Sequence, residues 1–401
     1  MLHYCKNALI ESGASPGGAK IIKKGGVKMS KVYFTNMRTK IGESLLVKMD
    51  RLIEKAGIGQ IDFSKKYTAI KVHFGEPGNL SFLRPNFVKP LADRIKALGG
   101  IPFLTDCNTL YVGRRNQALL HLDAAAENGY FPFTTGCQNI IADGIRGTDD
   151  IEVPIKGGEY CNVAYIGRAI MDADIVVSLN HFKGHEVTGF GGALKNIGMG
   201  CGSRAGKMAM HNDSKPRVDK GNCIGCKICL RFCAHEAISI SSGKASIDNK
   251  KCVGCGRCIG ACSKDAIAHD WSSSGTALCC KIAEYTKAVL DGRPNFHINV
   301  VNQVSPFCDC HDENDAAVIP DIGIFAGFDP VAVDKACIDA VNAAPALLSS
   351  ILGDRSRSHH DEAGNADHMT DIHPTTNWRD QIAHAEKISL GSSKYELITV
   401  K

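Results

Sequence analysis

The chain of 401 residues contains no run of about 18 apolar residues, so no segment of it reads as a membrane span. It also lacks a strong charge of either sign. The formal net charge is +5 and no arginine-rich run occurs, which argues against a nucleic-acid partner. Nothing in it requires a nucleotide cofactor, because its glycine-rich loop matches neither the dinucleotide fingerprint nor the P-loop. No secretion signal is recognisable and many cysteines fall outside any obvious pairing, so a reducing, cytoplasmic setting is expected. What remains, a 44% hydrophobic chain of this length, describes a soluble globular protein with room for a large core and a small module.

Cysteine is what the chain has in excess. Eight of its 18 cysteines fall into two copies of C-x₂-C-x₂-C-x₃-C: Cys223, Cys226, Cys229, Cys233 and Cys252, Cys255, Cys258, Cys262. The copies are 29 residues apart, and the repeat extends to Asp219 and Asp248 before them and to Glu236 and Asp265 after them. Three thiolates at two-residue intervals can surround one corner of a cubane iron–sulfur cluster, while the fourth cysteine opens a short helix and turns towards the other cluster. The spacing therefore predicts two [4Fe-4S] clusters. Cys223, Cys226, Cys229 and Cys262 would hold one; Cys252, Cys255, Cys258 and Cys233 would hold the other. Structural zinc sites use two separated cysteine pairs and fit this pattern badly, and disulfides fit a secreted chain better. Residues 219–270 resemble the bacterial two-cluster ferredoxins. They depart in carrying Ala234 and Ser263 where those proteins usually have proline after the fourth cysteine. Eight basic residues against five acidic ones leave this segment at +3, which would favour an acidic redox partner or simply form a solvated surface.

Elsewhere short β-rich runs alternate with amphipathic helical stretches, the pattern of an α/β domain with a mixed or parallel sheet flanked by helices. Strands are predicted at 32–36, 68–74, 101–105, 174–179, 296–303, 321–326 and 395–400. Helices are predicted at 43–56, 85–98, 115–128, 277–290, 330–341 and 377–388. The same style resumes after Trp271. The expected organisation is an α/β domain in two parts, 29–215 and 272–401, interrupted by an α+β ferredoxin-like insertion at 216–271. Residues 1–28 read as a non-native or disordered extension, with Met29 the expected start, because Lys-Gly-Gly-Val-Lys before a methionine is what a ribosome-binding site would encode.

Ligands of open α/β sheets bind beyond the carboxyl ends of the strands. In this chain those ends carry His73, Gly75 and Glu76; Asp106, Cys107 and Asn108; Asn180, His181, Lys183 and His185; Cys308, Cys310 and His311; and Asp329. The glycines from Gly189 to Gly192, with a helix N-terminus following, could admit a small anion held by Lys183 and Lys195, or could only permit close helix–sheet packing. His181, Lys183, His185 and Lys195 are the candidate catalytic residues. His181 and His185 could share a helical face, although Gly184 argues against that helix. Cys308 and Cys310, with His311, could join Cys201 or His211 in a third metal or redox site. Cys137, Cys161, Cys279, Cys280 and Cys337 read as small buried hydrophobes.

The stretches SLNHFKGHEVTGFGGALKNIGMG and DIGIFAGFDPVAVDKAC resemble the core of the domain-of-unknown-function family numbered 362, some members of which carry an inserted two-cluster ferredoxin module. That resemblance covers the chain from about Met29 onward and implies an α/β domain with a site of its own, without naming an activity. Three functions follow as expectations: electron transfer, a reductase using the His181–Cys201 and Cys308–Cys310 region, or a redox-sensing binding or assembly protein.

Overall fold

The computed structural model describes residues 29–111, 113–211, 215–233, 235–252, 256–264, 266–268, 275–358 and 367–401. Eight strands form the central sheet: β1 (Ser30–Asn36), β2 (Tyr67–Lys71), β3 (Ile101–Asp106), β4 (Gln138–Ile141), β5 (Ile175–His181), β6 (Asn295–Val301), β7 (Gly323–Gly327) and β8 (Tyr395–Thr399). Their order is β8-β1-β7-β6-β5-β2-β3-β4. The pairs β6–β5, β5–β2, β2–β3 and β3–β4 are parallel, as is β1–β8, while β7 runs against both β1 and β6. The fold is therefore mixed α/β with a mainly parallel sheet.

The central strands are buried along their length, as parallel strands covered on both faces must be. β5 reads Ile-Val-Val-Ser-Leu-Asn-His with every residue buried. Helices α1 (Leu45–Lys55), α2 (Val88–Ala97) and α3 (Ala118–Glu127) and helices α4 (Ala193–Cys201), α5 (Arg204–His211), α6 (Gly275–Leu290), α7 (Pro330–Ala343) and α8 (Trp378–Lys387) supply the cover. Met49, Leu52 and Ile53 of α1 and Leu91 and Ile95 of α2 pack with Ile70, Val177 and Ile298 of the sheet. A second cluster joins α7 and α8 to Phe325, and a third joins α4 and α6 to Val176. Ser44 caps α1 by accepting from the Val47 amide, and Asp329 caps α7 by accepting from Val331 and Ala332.

Chain order reverses between β2 and β5. From β2 the strands step outward to β3 and β4; from β5 they step the opposite way to β6. A crevice opens at such a reversal beyond the carboxyl ends, and that is where a ligand of this fold class binds. The expected strand and helix positions agree with the observed ones to within a few residues at most ends. β4, the hairpin of Asp150–Pro154 with Val163–Gly167, the hairpin of Lys183–His185 with Gly189–Gly191, and α5 were not anticipated, whereas α4 is the helix expected after the glycine loop. Among the described residues no helix is long and apolar enough to cross a membrane. The expectations about residues 1–28 lie outside the described residues.

The cysteine-rich segment has a small apolar cluster of its own, in which Cys223, Cys229 and Cys258 pack with Ile238, Ala245 and Ile267. Its two halves repeat in backbone geometry. Helices Ile228–Phe232 and Arg257–Ala261 both start after a left-handed residue, Lys227 (φ 64°) and Gly256 (φ 67°), 29 positions apart. The Asp219 amide donates to the Ala266 carbonyl at 2.8 Å and the Asp248 amide to the Ala237 carbonyl at 2.7 Å. Each half is thus laced to the other by equivalent bonds. Leu110 and Met208 of the α/β part belong to the same apolar cluster, and the Arg146 guanidinium lies 4.7 Å over the Phe232 ring.

Candidate functional site

A cavity of about 750 Å³ lies beyond the carboxyl ends of β2, β3, β5 and β6, at the reversal of strand order. Its floor is built by a buried ion pair. Lys71, the last residue of β2, places its Nζ 3.0 Å from Asp106 Oδ1 at the end of β3, and donates to Asn196 Oδ1 of α4 at 2.6 Å and to the Val72 carbonyl at 2.9 Å. Burial alone would raise the Asp106 carboxyl, but Lys71 and His121 outweigh it and hold Asp106 well below the usual carboxylate range. Gly200 is where α4 passes over this lysine: a Cβ there would sit 2.5 Å from Lys71 Nζ.

One wall is an arginine clamp. Arg115, 1% exposed, donates from Nε to Glu76 Oε2 at 2.8 Å and from Nη2 to Tyr111 Oη at 2.7 Å, and its Nη1 lies 3.0 Å from His73 Nε2. Burial, then the Arg115 charge, pushes His73 well below the ordinary histidine range, so it faces the cavity as a neutral ring.

The opposite wall comes from the segment after β5. Asp309 is fully buried between His181 Nδ1 (2.9 Å) and Lys183 Nζ (3.2 Å); those two charges overcome burial and hold its carboxyl far down. His181 Nε2 faces the Asn302 carbonyl at 2.8 Å. His185 Nδ1 accepts from the amides of Val187 and Thr188, both at 3.1 Å, leaving Nε2 as the nitrogen that carries the proton. Lys195, on the first turn of α4, donates to Cys308 Sγ at 3.4 Å. A hydrogen bond from Cys310, then the charge of Lys195 and a bond from His185, hold the Cys308 thiol well below its ordinary value against the effect of burial; Cys310 is pushed up in turn. Partial burial would raise Glu186, but His185 and His311 outweigh it and draw the carboxyl down to about 2; its Oε1 bonds His311 Nε2 at 3.1 Å.

Three of the four candidate catalytic residues, Lys183, His185 and Lys195, line this cavity, as do His73, Glu76, Asp106, Cys308, Cys310 and His311. His181 does not; both its ring nitrogens are spent on Asp309 and Asn302, and it positions Asp309 behind the wall. His181 and His185 share no helix, since His181 ends β5 and His185 ends the short strand Lys183–His185. Asp329 sits at the other edge of the sheet, because β7 alone runs in reverse, and there it caps α7 and accepts from Ser30 and Ser392. Cys201 stays with the core: it packs with Ile197 and Ile282, its carbonyl accepts from Cys107 Sγ at 3.3 Å, and it is not with Cys308 and Cys310. His211 does line the cavity.

The glycine-rich loop needs a correction. The N-terminal amides of α4 are already taken by a carboxylate of the chain itself, Asp334 of α7, which accepts from Ala193 at 2.7 Å and Leu194 at 2.9 Å. Gly192 is glycine because a Cβ would lie 2.3 Å from Asp334 Oδ1. A small anion would therefore meet lysines in the cavity rather than these amides. Lys195 and Lys207 suit that role: among the described residues their ammonium groups bond to a sulfur and to the Gly202 carbonyl, not to a carboxylate.

Lys71, Arg115 and Glu186 were not singled out from the sequence. For Lys71 the signal was present, a lysine inside an otherwise apolar strand run, because a buried charge needs a nearby partner.

The repeat cysteines gather into two sets. Cys223, Cys226, Cys229 and Cys262 line one small apolar cavity; Cys233, Cys252 and Cys258 line another. Cys255 lies outside the described residues. Backbone amides point at the sulfurs: Ala245 to Cys223 at 3.2 Å, Ala237 to Cys233 at 3.3 Å and Ala266 to Cys262 at 3.3 Å.

Comparison with known families matches residues 68–339 to the family described as Domain of unknown function (DUF362). Comparison with curated proteins gives no match. Among solved structures, the lactate racemase apoprotein from Thermoanaerobacterium thermosaccharolyticum aligns at a TM-score of 0.39 and 12% identity, covering 92% of this chain and 83% of its own. That likeness is too weak to bear on function.

Proposed function

The chain belongs to the DUF362 family, and on that premise we propose that it is an iron–sulfur electron-transfer protein whose α/β part binds a small anionic ligand or a redox partner. The observation that carries this reading is the sorting of the repeat cysteines. Cys262 joins Cys223, Cys226 and Cys229 around one apolar cavity, and Cys233 joins Cys252 and Cys258 around the other, which accords with the crossed arrangement expected of two [4Fe-4S] clusters. The donor set fits the group: thiolates, apolar walls and amide donors aimed at sulfur. Cys223, Cys226, Cys229 and Cys262 would hold one cluster; Cys252, Cys255, Cys258 and Cys233 the other. Bound clusters would supply one-electron carriers, with potentials set by hydrogen bonds to sulfur and by exposure.

The chain's own residues supply the rest. Apolar packing of Ile238, Ile247 and Phe232 keeps water from one cysteine set, and the surface lysines of the segment favour an acidic partner. In the α/β part Lys195 and Lys207 attract an anion, and His185 presents a proton on Nε2. A second reading, in which the ligand itself is reduced in the cavity, is favoured by Leu110. That side chain both lines the cavity and packs in the apolar cluster with Cys258, so the cysteine-rich segment and the cavity share a wall.

Anaerobic purification with iron and sulfide counted per chain tests the first reading. About eight of each is expected for two clusters; a chain that takes up zinc at these cysteines and no iron would overturn it. Lys195→Ala and Cys308→Ser then separate the two readings. A carrier keeps passing electrons in both variants, whereas a reductase loses turnover with both cluster signals intact.

A further inference from the structure

Apart from the repeat cysteines, one place in the described structure brings three different metal-ligating atoms together. A carboxylate oxygen of Glu186, the sulfur of Cys310 and a ring nitrogen of His311 lie within 4.8 Å of one another, on the wall of the main cavity. The residues come from two segments far apart in sequence, the turn after Lys183–His185 and the loop after β6. Parallel pairing of β5 with β6 makes the two loops neighbours. The Glu186–His311 contact could be an ordinary ion pair, since both side chains are over one-third exposed and such pairs contribute little. That account leaves two facts unexplained. Glu186 Oε2 is buried with no hydrogen-bond partner, a costly state for a carboxylate oxygen. A cysteine sulfur also sits in the same group.

We propose that Glu186, Cys310 and His311 bind a single divalent metal ion of the zinc class, with its remaining coordination position open for a ligand in the cavity. A tetrahedral zinc with bonds of roughly 2.0–2.3 Å spaces its ligand atoms roughly 3.5 Å apart, so the three atoms need only small side-chain adjustments. Thiolate, imidazole and carboxylate together suit zinc better than calcium or magnesium, which take oxygen ligands. Three protein ligands are the number found where a fourth position is kept for water or substrate; structural sites supply four. The surroundings match. Cys308 lines the same cavity wall, and Lys195 places a positive charge 3.4 Å from its Sγ, where it would meet an anionic group bound to the metal. Cys201 has no part in this site, and none of the repeat cysteines does, so the site stands independently of the iron–sulfur reading.

The test uses the whole chain, purified anaerobically with its iron in place, stripped with a chelator and titrated with Zn²⁺ by calorimetry while zinc and iron are both counted. One zinc per chain beyond any at the repeat cysteines is expected, with a Kd at or below about 1 μM. Cys310→Ser and His311→Ala should each weaken it by at least about 100-fold, and Glu186→Gln by about 10-fold or more, with iron content and circular dichroism unchanged. Co²⁺ in place of Zn²⁺ should give the visible bands of a tetrahedral thiolate-bound cobalt, absent in Cys310→Ser. Failure to bind a further zinc, or unchanged affinity in the Cys310→Ser/His311→Ala double variant, overturns the proposal. Loss of iron with zinc binding retained would count only against the iron–sulfur reading.

Discussion

Replacing Lys71 by methionine should destabilise the protein at neutral pH by about 3–5 kcal/mol, because it strands Asp106 as an unpaired buried charge. The lysine has no exposed surface and Asp106 is 3% exposed, so neither group can turn to water. At a separation of 3.0 Å the pair attracts by about 5.5 kcal/mol at an effective dielectric constant of about 20. The variant also removes hydrogen bonds to Asn196 and the Val72 carbonyl. The pH dependence gives the argument a second handle. In the native protein the Asp106 carboxyl is held below its unfolded value, so its contribution is fully present above about pH 4 and is lost as pH falls towards the folded pKa. Without Lys71, burial dominates and the folded pKa lies above the unfolded one. The sign then reverses: the variant is relatively better off near pH 4 and loses stability as pH rises. Urea unfolding followed by circular dichroism between pH 4 and 8 would measure both slopes. The neutral double variant Lys71→Met/Asp106→Asn should recover part of the loss, since no charge is left buried. A single variant within 1 kcal/mol of the native chain at pH 7, or a double variant no more stable than the single, would refute the reasoning.

Other outcomes follow from the same geometry. Asp334 is pushed up to about 6 by burial, above its unfolded value near 4, so its contribution is present below about pH 4 and is lost as pH rises through 6. Asp334→Asn should therefore flatten the stability profile over that window by about 3 kcal/mol, read by urea unfolding at several pH values. Gly200→Ala should cost about 1–3 kcal/mol, because its methyl would collide with the immobilised end of Lys71, and the cost should shrink in a Lys71→Met background. Cys262→Ser should disturb the same electron paramagnetic resonance signal as Cys223→Ser, while Cys233→Ser should disturb the other; a Cys262 effect confined to the signal lost in Cys252→Ser would contradict the crossed sets.

Much of this was legible in the sequence. The 29-residue repeat is local; in each copy the third cysteine lies in the first turn of a short helix, Ile228–Phe232 or Arg257–Ala261, and the fourth follows the end of that helix where it was expected to open one. The strands at 32–36, 101–105 and 174–179 carry apolar runs that propensity alone marks. His73, Lys183, His185, Lys195 and Cys308 were reachable too, because residues at the carboxyl ends of parallel strands share one edge of a sheet.

Direction and partnership were not legible, because both depend on residues distant in the chain. Asp329 follows an apolar run like the others, yet β7 is antiparallel, which puts it at the far edge. The glycine loop suited either an anion or close packing, and Asp334, some 140 residues later, occupies the helix amides that follow it. His181 and Cys201 belong to the right segment but turn into the wall and the core. Glu186 meets Cys310 and His311 only because β5 and β6 pair. The sequence by itself determined which residues could do chemistry and which cysteines form a repeat, since spacing and period are local. Tertiary structure alone decided which of them face one cavity, because a buried charge takes its partner from whatever the fold brings beside it.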